Sequence, residues 1–132
     1  MDDTPVVIVD RRGFDRLALD LLCQQTPGIG VAASVASVTD AVGVLGGGGP
    51  VVLVGRQLLR VDGPDSVARL RAAGAGRVIL VGTGDHGGLR TEAVRVDADG
   101  VLERDGDTVS QTAVLRGESG TVPRWVGESA GS

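Results

Sequence analysis

Three short runs of apolar, mostly β-branched residues occur at positions 6–9, 51–54 and 78–81. None of them alternates with polar residues, a pattern typical of parallel strands that are covered on both faces. Residues 29–33 and 101–102 are two further, shorter strand candidates. The pattern therefore predicts five strands.

Helical spacing of apolar residues fills the gaps between the strands. The first helix carries one apolar stripe at i, i+3, i+4, i+7 and i+8, made of Phe14, Leu17, Ala18, Leu21 and Leu22. Ser37 to Asp40 has the pattern of a capping box, which predicts the start of the second helix. Pro64 suits the first turn of a third helix and Gly74 its C-terminal cap. A weak helix over 89–96 and a last helix opening at 107–109 complete the pattern.

Strands and helices thus alternate along the chain. Connections between parallel strands through a helix are right-handed, so the helices must cover both faces of one sheet. The predicted fold class is a doubly wound α/β sandwich of five parallel strands.

Composition fits a single domain. The chain has 132 residues, of which 42% are hydrophobic, and it can bury a core without metal or disulfide support. Its one cysteine excludes an internal disulfide. From Gly117 onward Gly, Ser, Glu and Pro dominate, with Trp125 among them. We expect a domain over 1–117 and, over 118–132, a flexible tail or the start of a linker.

Charge and hydropathy argue against two classes of partner. A formal net charge of −4 and 2% aromatic residues do not suit a nucleic-acid surface. No apolar run reaches membrane-spanning length, and the acidic start of the chain lacks the features of a signal peptide. A cytoplasmic protein without membrane contact is expected.

Functional residues of open α/β sheets collect at the carboxyl ends of the strands. Here those ends carry Asp10 and Arg11 after the first strand, Gly55 and Arg56 after the third, Gly82 and Thr83 after the fourth, and Glu103, Arg104 and Asp105 after the fifth.

At this point the chain resembles the receiver domain of two-component response regulators, above all those of the NarL/FixJ type. The similarity covers about residues 5 to 116 and is carried by residues 6–10, 26–31, 70–74 and 97–102. The resemblance implies a flavodoxin-like (βα)5 fold with strand order 2-1-3-4-5. The composition, rich in Gly, Ala, Val and Arg, suits an actinobacterial source.

Receivers carry two acids after strand one, a phosphoacceptor Asp after strand three, a hydroxyl after strand four and a Lys after strand five. Only Asp10 matches this set. The second acid falls on Arg11, the phosphoacceptor on Gly55, the hydroxyl on Gly82 or Thr83, and the Lys on Arg104. The resemblance therefore implies an atypical receiver with a degenerate phosphorylation pocket.

Glycine has no nucleophile, so phosphorylation at Gly55 is chemically impossible. One remaining carboxylate is too little for Mg²⁺, which favours several oxygen ligands, and no cofactor is expected. Arg11 would place a guanidinium near Asp10, and Arg104 would add another. Other interpretations stay open: Gly55 could serve a turn with positive φ, Asp10 could only cap or pair, and the arginines could be solvated.

Other features have plain structural readings. The glycine-rich stretch 82–88 lacks the lysine and hydroxyl of a phosphate-binding loop. His86 has no partner at metal-ligand spacing, and Cys23 is expected to be a partly buried structural thiol. Trp125 is compatible with docking on the domain, docking on a neighbour, or disorder.

Two functions follow as hypotheses. The first is a phosphorylation-independent module of a transcription regulator, paired as a homodimer through its receiver helices, with DNA bound only through an absent helix-turn-helix domain. The second is a metabolite sensor, for which the candidate ligand-binding residues are Arg11, Arg56, Thr83, Asp85 and Arg104. No nucleophile and base occur together in the sequence pattern, so an enzyme is not expected.

Overall fold

A computed structural model describes residues 3–46, 48–84 and 88–118. Its five parallel strands form one sheet in the order β2-β1-β3-β4-β5. The strands are β1 (Thr4–Val9), β2 (Ile29–Val35), β3 (Val51–Gly55), β4 (Arg77–Gly82) and β5 (Gly100–Glu103). The helices are α1 (Gly13–Gln24), α2 (Val38–Val44), α3 (Leu58–Val61), α4 (Ser66–Ala72), α5 (Gly88–Arg95) and α6 (Thr108–Leu115). The predicted fold class and strand order are confirmed.

The central strands separate two hydrophobic layers, because successive side chains of a strand point to opposite faces. On one face, strand residues such as Val7, Val52 and Leu80 pack with α2, α4 and α5. On the other face, Ile8 and Leu53 pack with α1 and α6. Because both faces of the central strands are buried, successive residues are apolar, which explains the continuous apolar runs in the sequence.

Two helix ends follow the sequence signals. The Ser37 hydroxyl accepts a hydrogen bond from the Asp40 N–H at 3.0 Å, which confirms the predicted cap of α2. Gly74 follows α4 with φ +120°, a conformation that favours glycine. Pro64, however, precedes α4, which begins at Ser66, whose hydroxyl bonds back to the Gly63 carbonyl.

Four of the five residues of the predicted apolar stripe of α1 face away from the core, although such stripes usually face it. Phe14 is 81% exposed, Leu17 56% and Leu21 47%. The sheet is covered instead by the other side of the helix, through the buried Leu19 and Cys23, together with Leu22, which is the one buried member of the predicted stripe. Because α1 has two apolar faces, periodicity alone did not indicate which of them meets the sheet.

The helix count also differs from the expectation. The described part of the chain contains six helices, whereas five were predicted, because α3 is a single four-residue helix without a readable period. Within the same residues, no helix has the length and hydropathy needed to cross a lipid bilayer. Asp85, His86 and Trp125 lie outside the described residues, as do positions 119–132 of the predicted tail.

Candidate functional site

Parallel register brings the candidate residues to one edge of the sheet. Val9 is level with Val54, so Asp10 follows β1 beside Gly55 at the end of β3. Backbone hydrogen bonds continue past the strands: the Arg56 N–H donates to the Val81 carbonyl and the Arg104 N–H to the Gly82 carbonyl, both at 2.8 Å. The sheet-like hydrogen bonds therefore fix the backbone of Arg56 and Arg104, the residues that follow β3 and β5 at this edge.

An ion pair joins the first and last strands across this edge. Arg104 Nη2 donates to Asp10 Oδ2, and the Asp10 residue is only 2% exposed. The second guanidinium nitrogen, Nη1, lies 3.5 Å from Asp15 Oδ1 in the first turn of α1. Arg104 thus pairs with two carboxylates, one of them buried.

Asp10 has a second partner at the start of α1. Its Oδ1 accepts a hydrogen bond from the Arg12 N–H at 3.2 Å, and the Arg16 guanidinium donates to the Asp10 carbonyl at 2.9 Å. These bonds orient the buried carboxylate toward β3 and β5. Asp10 is therefore both paired and positioned.

The Asp10 carboxylate explains why residue 55 is a glycine. A Cβ added at Gly55 would lie 2.5 Å from Asp10 Oδ2 and 2.9 Å from Asp10 Cγ, far inside van der Waals contact. Gly55 is not among the residues with positive φ, so the interpretation as a positive-φ turn is wrong. Glycine fits here because the Asp10 carboxylate occupies the space into which a side chain would project.

The guanidinium on Asp10 is not that of Arg11. Arg11 is exposed, and its backbone carbonyl accepts a hydrogen bond from Arg16 Nη1 at 3.3 Å. The neighbouring residue, Arg12, lies at the site instead. The chain turns into α1 after Asp10, and this turn carries Arg11 away from the strand ends.

A cavity of about 230 Å³ opens at the strand ends. It is lined by Asp10, Arg12, Asp15, Arg56, Gln57, Val81, Gly82, Thr83 and Arg104. Of the predicted ligand-binding residues, Arg56, Thr83 and Arg104 are brought together here. Arg11 is not among the lining residues, and Asp85 lies outside the described chain.

Sequence reasoning missed Arg12, Asp15 and Gln57, which also line the cavity. The available signal was helical geometry: an N-cap residue and the residue three positions later share the first turn of a helix that starts at the strand ends. Arg12 is the N-cap of α1 and Asp15 lies in that first turn.

Arg56 is held at the rim by α5. Its Nε lies 2.5 Å from Glu92 Oε1, and Arg95 Nη2 lies 3.6 Å from the other Glu92 oxygen. Two of the three arginines that line the cavity, Arg56 and Arg104, are therefore already paired with carboxylates. The lining is internally neutralised and not strongly cationic.

The two candidate positions for a hydroxyl differ. Gly82 is buried, and a Cβ there would lie 3.0 Å from Leu89 Cδ1 and 3.4 Å from Arg56 Cβ. Thr83 is exposed and lines the cavity. The loop that follows is tied to the β5 side by the Gly84 N–H, which donates to Asp105 Oδ1 at 2.9 Å.

The residues at this edge do not fit the magnesium ion that the receiver resemblance implies. Mg²⁺ is bound through carboxylates that are free to present oxygens in octahedral geometry. Here Asp10 and Asp15 both face Arg104, and a further guanidinium, that of Arg12, lines the same cavity. Among residues 3–46, 48–84 and 88–118, no group of three or more His, Cys, Asp or Glu could hold a metal ion.

Cys23 lies away from this edge, in the layer between α1 and the sheet. It is fully buried, and burial raises the pKa of its thiol to about 11, with a smaller contribution from the Asp20 carboxylate. A thiol that stays protonated at neutral pH is a poor nucleophile. Its expected structural role is in keeping with this burial, which is complete where partial burial was predicted.

Solved structures similar to this chain include response regulators and isolated signal receiver domains. The signal receiver domain of NarL from Mycobacterium tuberculosis superposes with a TM-score of 0.70 at 19% identity, covering 89% of this chain and 98% of that domain. RcsB from Salmonella typhimurium gives 0.72 at 14% identity, covering 93% of this chain and 63% of RcsB. ChrA, the response regulator of a heme-sensing two-component system, gives 0.68 at 22% identity, covering 99% and 64%.

These similarities establish the fold, which is that of NarL-type receiver domains. The chain spans less than two thirds of RcsB and of ChrA. Comparison with protein-family models gives no match, and comparison with curated protein sequences gives none either.

Proposed function

We propose that the chain is a receiver-type regulatory module of a transcription regulator, and that it works without aspartyl phosphorylation. One observation carries the proposal: the Asp10 carboxylate lies where the side chain of residue 55 would begin. The site of phosphoryl transfer in a receiver is thus filled by a carboxylate that belongs to the neighbouring strand.

The chemistry of the site supports this. Gly55 offers no oxygen nucleophile, and Asp10 is buried against Arg104 and the Arg12 N–H. A carboxylate whose charge is satisfied by a guanidinium gains little from binding a metal ion, and a phosphoryl group would meet no paired acids to organise its cation. The ion pair replaces the phosphorylation cycle with a permanent link between β1 and β5.

The test is the response to phosphoryl analogues. Amide NMR spectra recorded with Mg²⁺ and either acetyl phosphate or beryllofluoride should match the spectrum of the untreated chain, and intact mass should show no phosphoryl adduct. Site-specific shifts around Asp10 would overturn the proposal. The Asp10→Ala variant is the control for non-specific effects of the reagents, since it removes the carboxylate in question.

Dimerisation is the output we propose for the module. The support is the exposed apolar side of α1, where Phe14 is 81% and Leu17 56% exposed. Exposed apolar stripes on a helix mark interaction surfaces. Under this proposal DNA is bound by a separate helix-turn-helix domain of the regulator in the cytoplasm, and the module itself carries out no catalysis.

A second candidate function is metabolite sensing at the strand ends. It is favoured by the cavity of about 230 Å³, where Thr83, Gln57 and the Arg12 guanidinium lie beside the Asp10 and Arg104 pair. A ligand would act only by binding one conformation more tightly than another. A thermal-shift screen against small polar metabolites tests it: a stabilising hit that Thr83→Val abolishes would support sensing, and no hit would count against it.

A further inference from the structure

A groove crosses the amino-terminal edge of the sheet, at the other end of the strands from the Asp10 site. Its volume is about 510 Å³, which is within the range of protein pockets that hold small ligands. The first residues of β1 to β4 all line it: Thr4, Ile29, Val51 and Arg77. We call it the amino-edge groove.

Glycines keep the amino-edge groove open. Gly28, Gly49 and Gly76 are among its lining residues, so no side chain fills the space beside these positions. At Gly76 the reason is steric, because an added Cβ would overlap the Gly49 carbonyl oxygen. Much of the groove floor is therefore backbone, which a side chain from elsewhere can approach closely.

The end of α6 forms one rim of the groove. Leu115 and Arg116 line it, and the chain then turns at Gly117, which has φ +78°. The N–H groups of Gly117 and Glu118 donate to carbonyls in the last turn of α6 at 3.0 and 2.8 Å, the two bonds of a Schellman motif. A Cβ at Gly117 would lie 3.2 Å from Arg77 Nη1, so this turn lies against the groove. Residues 119–132 therefore continue from the rim.

That segment contains the chain's only tryptophan, Trp125, next to Val126 and close to Val122 and Pro123. Trp125 follows Glu118 by seven positions, a distance that an extended chain spans with about 23–25 Å. The tether is therefore long enough to fold back onto the groove. An indole buries roughly 150–250 Å², and its ring faces attract guanidinium groups.

We infer that Trp125 docks in the amino-edge groove of its own chain. Arg77 and Arg116 bring two guanidinium groups to the groove, and the exposed Pro27 adds an apolar wall. A short tether gives an effective concentration on the order of millimolar, so even a weak affinity for the indole suffices. Docking holds the segment after α6 against the amino-terminal edge of the sheet. The inference goes beyond the proposed function and does not depend on it.

Both guanidinium groups can serve an aromatic ring. Arg77 Nη2 donates to the Val114 carbonyl at 3.2 Å, and Arg116 Nη1 lies 3.9 Å from Glu118 Oε1, where both side chains are largely exposed. In the described structure neither arginine is thus committed to a buried carboxylate. Their ring-binding faces are compatible with these contacts, since the nitrogens donate in the guanidinium plane.

A second groove beside α6 fits an indole less well. It has a volume of about 400 Å³, and its lining includes two carboxylates, Glu103 and Asp107, with one guanidinium, Arg90. Carboxylates repel the negative faces of an aromatic ring. Among the described residues that line the amino-edge groove, none is acidic, which favours that groove for Trp125.

Intrinsic fluorescence tests the inference, because the sequence has one tryptophan and no tyrosine, so the signal reports on Trp125 alone. The native chain should emit at shorter wavelength than the urea-unfolded chain, and acrylamide should quench it several-fold less. Identical emission and quenching in the two states would overturn the inference. Shielding should also be independent of protein concentration. Its loss on dilution would mean that Trp125 docks on a second copy, which would overturn docking within the chain.

Two variants test whether the groove is the docking site. Pro27→Glu places a carboxylate on the groove wall and Arg116→Ala removes a guanidinium, so each should shift the emission toward that of the unfolded chain and increase quenching. Pro64→Glu is the matched control for the first, an exposed turn proline outside the groove lining, and Arg95→Ala, 72% exposed on α5, is the control for the second. Circular dichroism must show that each variant is folded, and Arg116→Ala decides alone if Pro27→Glu is not. Shielding that persists in the folded groove variants would place Trp125 elsewhere and reject the inference.

Discussion

The Asp10 carboxylate occupies the position that a side chain at residue 55 would need, since a Cβ added at Gly55 would lie 2.5 Å from Asp10 Oδ2. No side chain can therefore be placed at residue 55 unless Asp10 moves. The glycine at 55 and the buried position of the Asp10 carboxylate therefore depend on each other. Asp10 reaches Arg104 only because residue 55 has no side chain, and residue 55 tolerates no side chain because Asp10 is paired.

Gly55→Ala is the direct test of this relationship. The added methyl group must displace the Asp10 carboxylate, and we expect a loss of about 1–3 kcal/mol in the free energy of unfolding, as for other overpacked sites. Combined with Asp10→Ala the cost should be less than the sum of the two single changes, since the clash is gone. Urea unfolding at pH 7 measures both.

Gly43→Ala is the matched control. Gly43 lies inside α2 with no neighbouring atom within 4 Å of an added Cβ, so alanine should stabilise the chain by up to about 1 kcal/mol. If Gly55→Ala were equally harmless, the steric relationship would be refuted.

Arg104→Ala should destabilise the chain by roughly 2–4 kcal/mol, because it leaves a buried carboxylate without its guanidinium. The stability of Arg104→Lys should lie between those of Arg104→Ala and the unmodified chain. Arginine reaches Asp10 and Asp15 with two separate nitrogens of its planar guanidinium, whereas lysine has a single ammonium nitrogen. Arg95→Ala serves as the control: Arg95 is 72% exposed beside Glu92, and its loss should cost no more than about 1 kcal/mol. Equal costs at 104 and 95 would show that the buried pair contributes nothing.

Cys23 should make the chain less stable in alkali. The folded thiol titrates near pH 11 and the unfolded thiol near 9.0, so the unfolded state loses its proton first and the free energy of unfolding falls as pH rises from about 9 to 11. Two pH units correspond to about 2–3 kcal/mol. The sequence has no tyrosine, and all 13 of its cationic residues are arginines, so no other side chain titrates in this window.

The measurement is denaturant unfolding between pH 8 and 11 under reducing conditions. Cys23→Ala, although less stable overall, should show a flat profile over that window. A slope that persists in Cys23→Ala would assign the alkaline effect to another cause.

Asp99 should be important for stability although it lies far from the strand ends. Its Oδ2 accepts from the Val78 N–H at 2.8 Å and lies 3.1 Å from Arg71 Nη1, so it joins β4, α4 and the start of β5. Asp99→Ala leaves both groups without this partner, and we expect a loss of about 2–4 kcal/mol by thermal or urea unfolding. Asp40→Asn, at an exposed position in the first turn of α2, should cost less than about 1 kcal/mol. A loss at Asp99 no larger than that at Asp40 would contradict this role.

Local patterns carried much of the architecture. The continuous β-branched runs placed the central strands within two residues of their observed ends, because the parts of a strand that are buried on both faces are almost entirely apolar. The cap at Ser37 and the glycine at 74 were predicted because they depend on bonds between near neighbours in sequence. The candidate positions Asp10, Gly55, Gly82 and Arg104 followed from strand ends and from the family resemblance.

The contacts between those positions could not be predicted in the same way. Arg104 and Asp10 are 94 residues apart, and their pairing depends on the register of the sheet. The turn after Asp10 exposes Arg11 and brings Arg12 and Asp15 into the lining of the cavity. This arrangement depends on where α1 begins, which is at Gly13, directly after Arg12.

The sequence by itself determined the strands, their parallel arrangement and the absence of a carboxylate at residue 55, since each of these is a local property of residue type or order. Only the tertiary structure decided that Asp10 fills the space at Gly55, that Arg104 and not Arg11 neutralises it, and that the stripe of α1 faces outward. The physical reason is that burial and charge pairing depend on which residues, distant in sequence, come into contact when the helices pack on the two faces of the sheet. The spacing of residues within one segment does not determine those contacts.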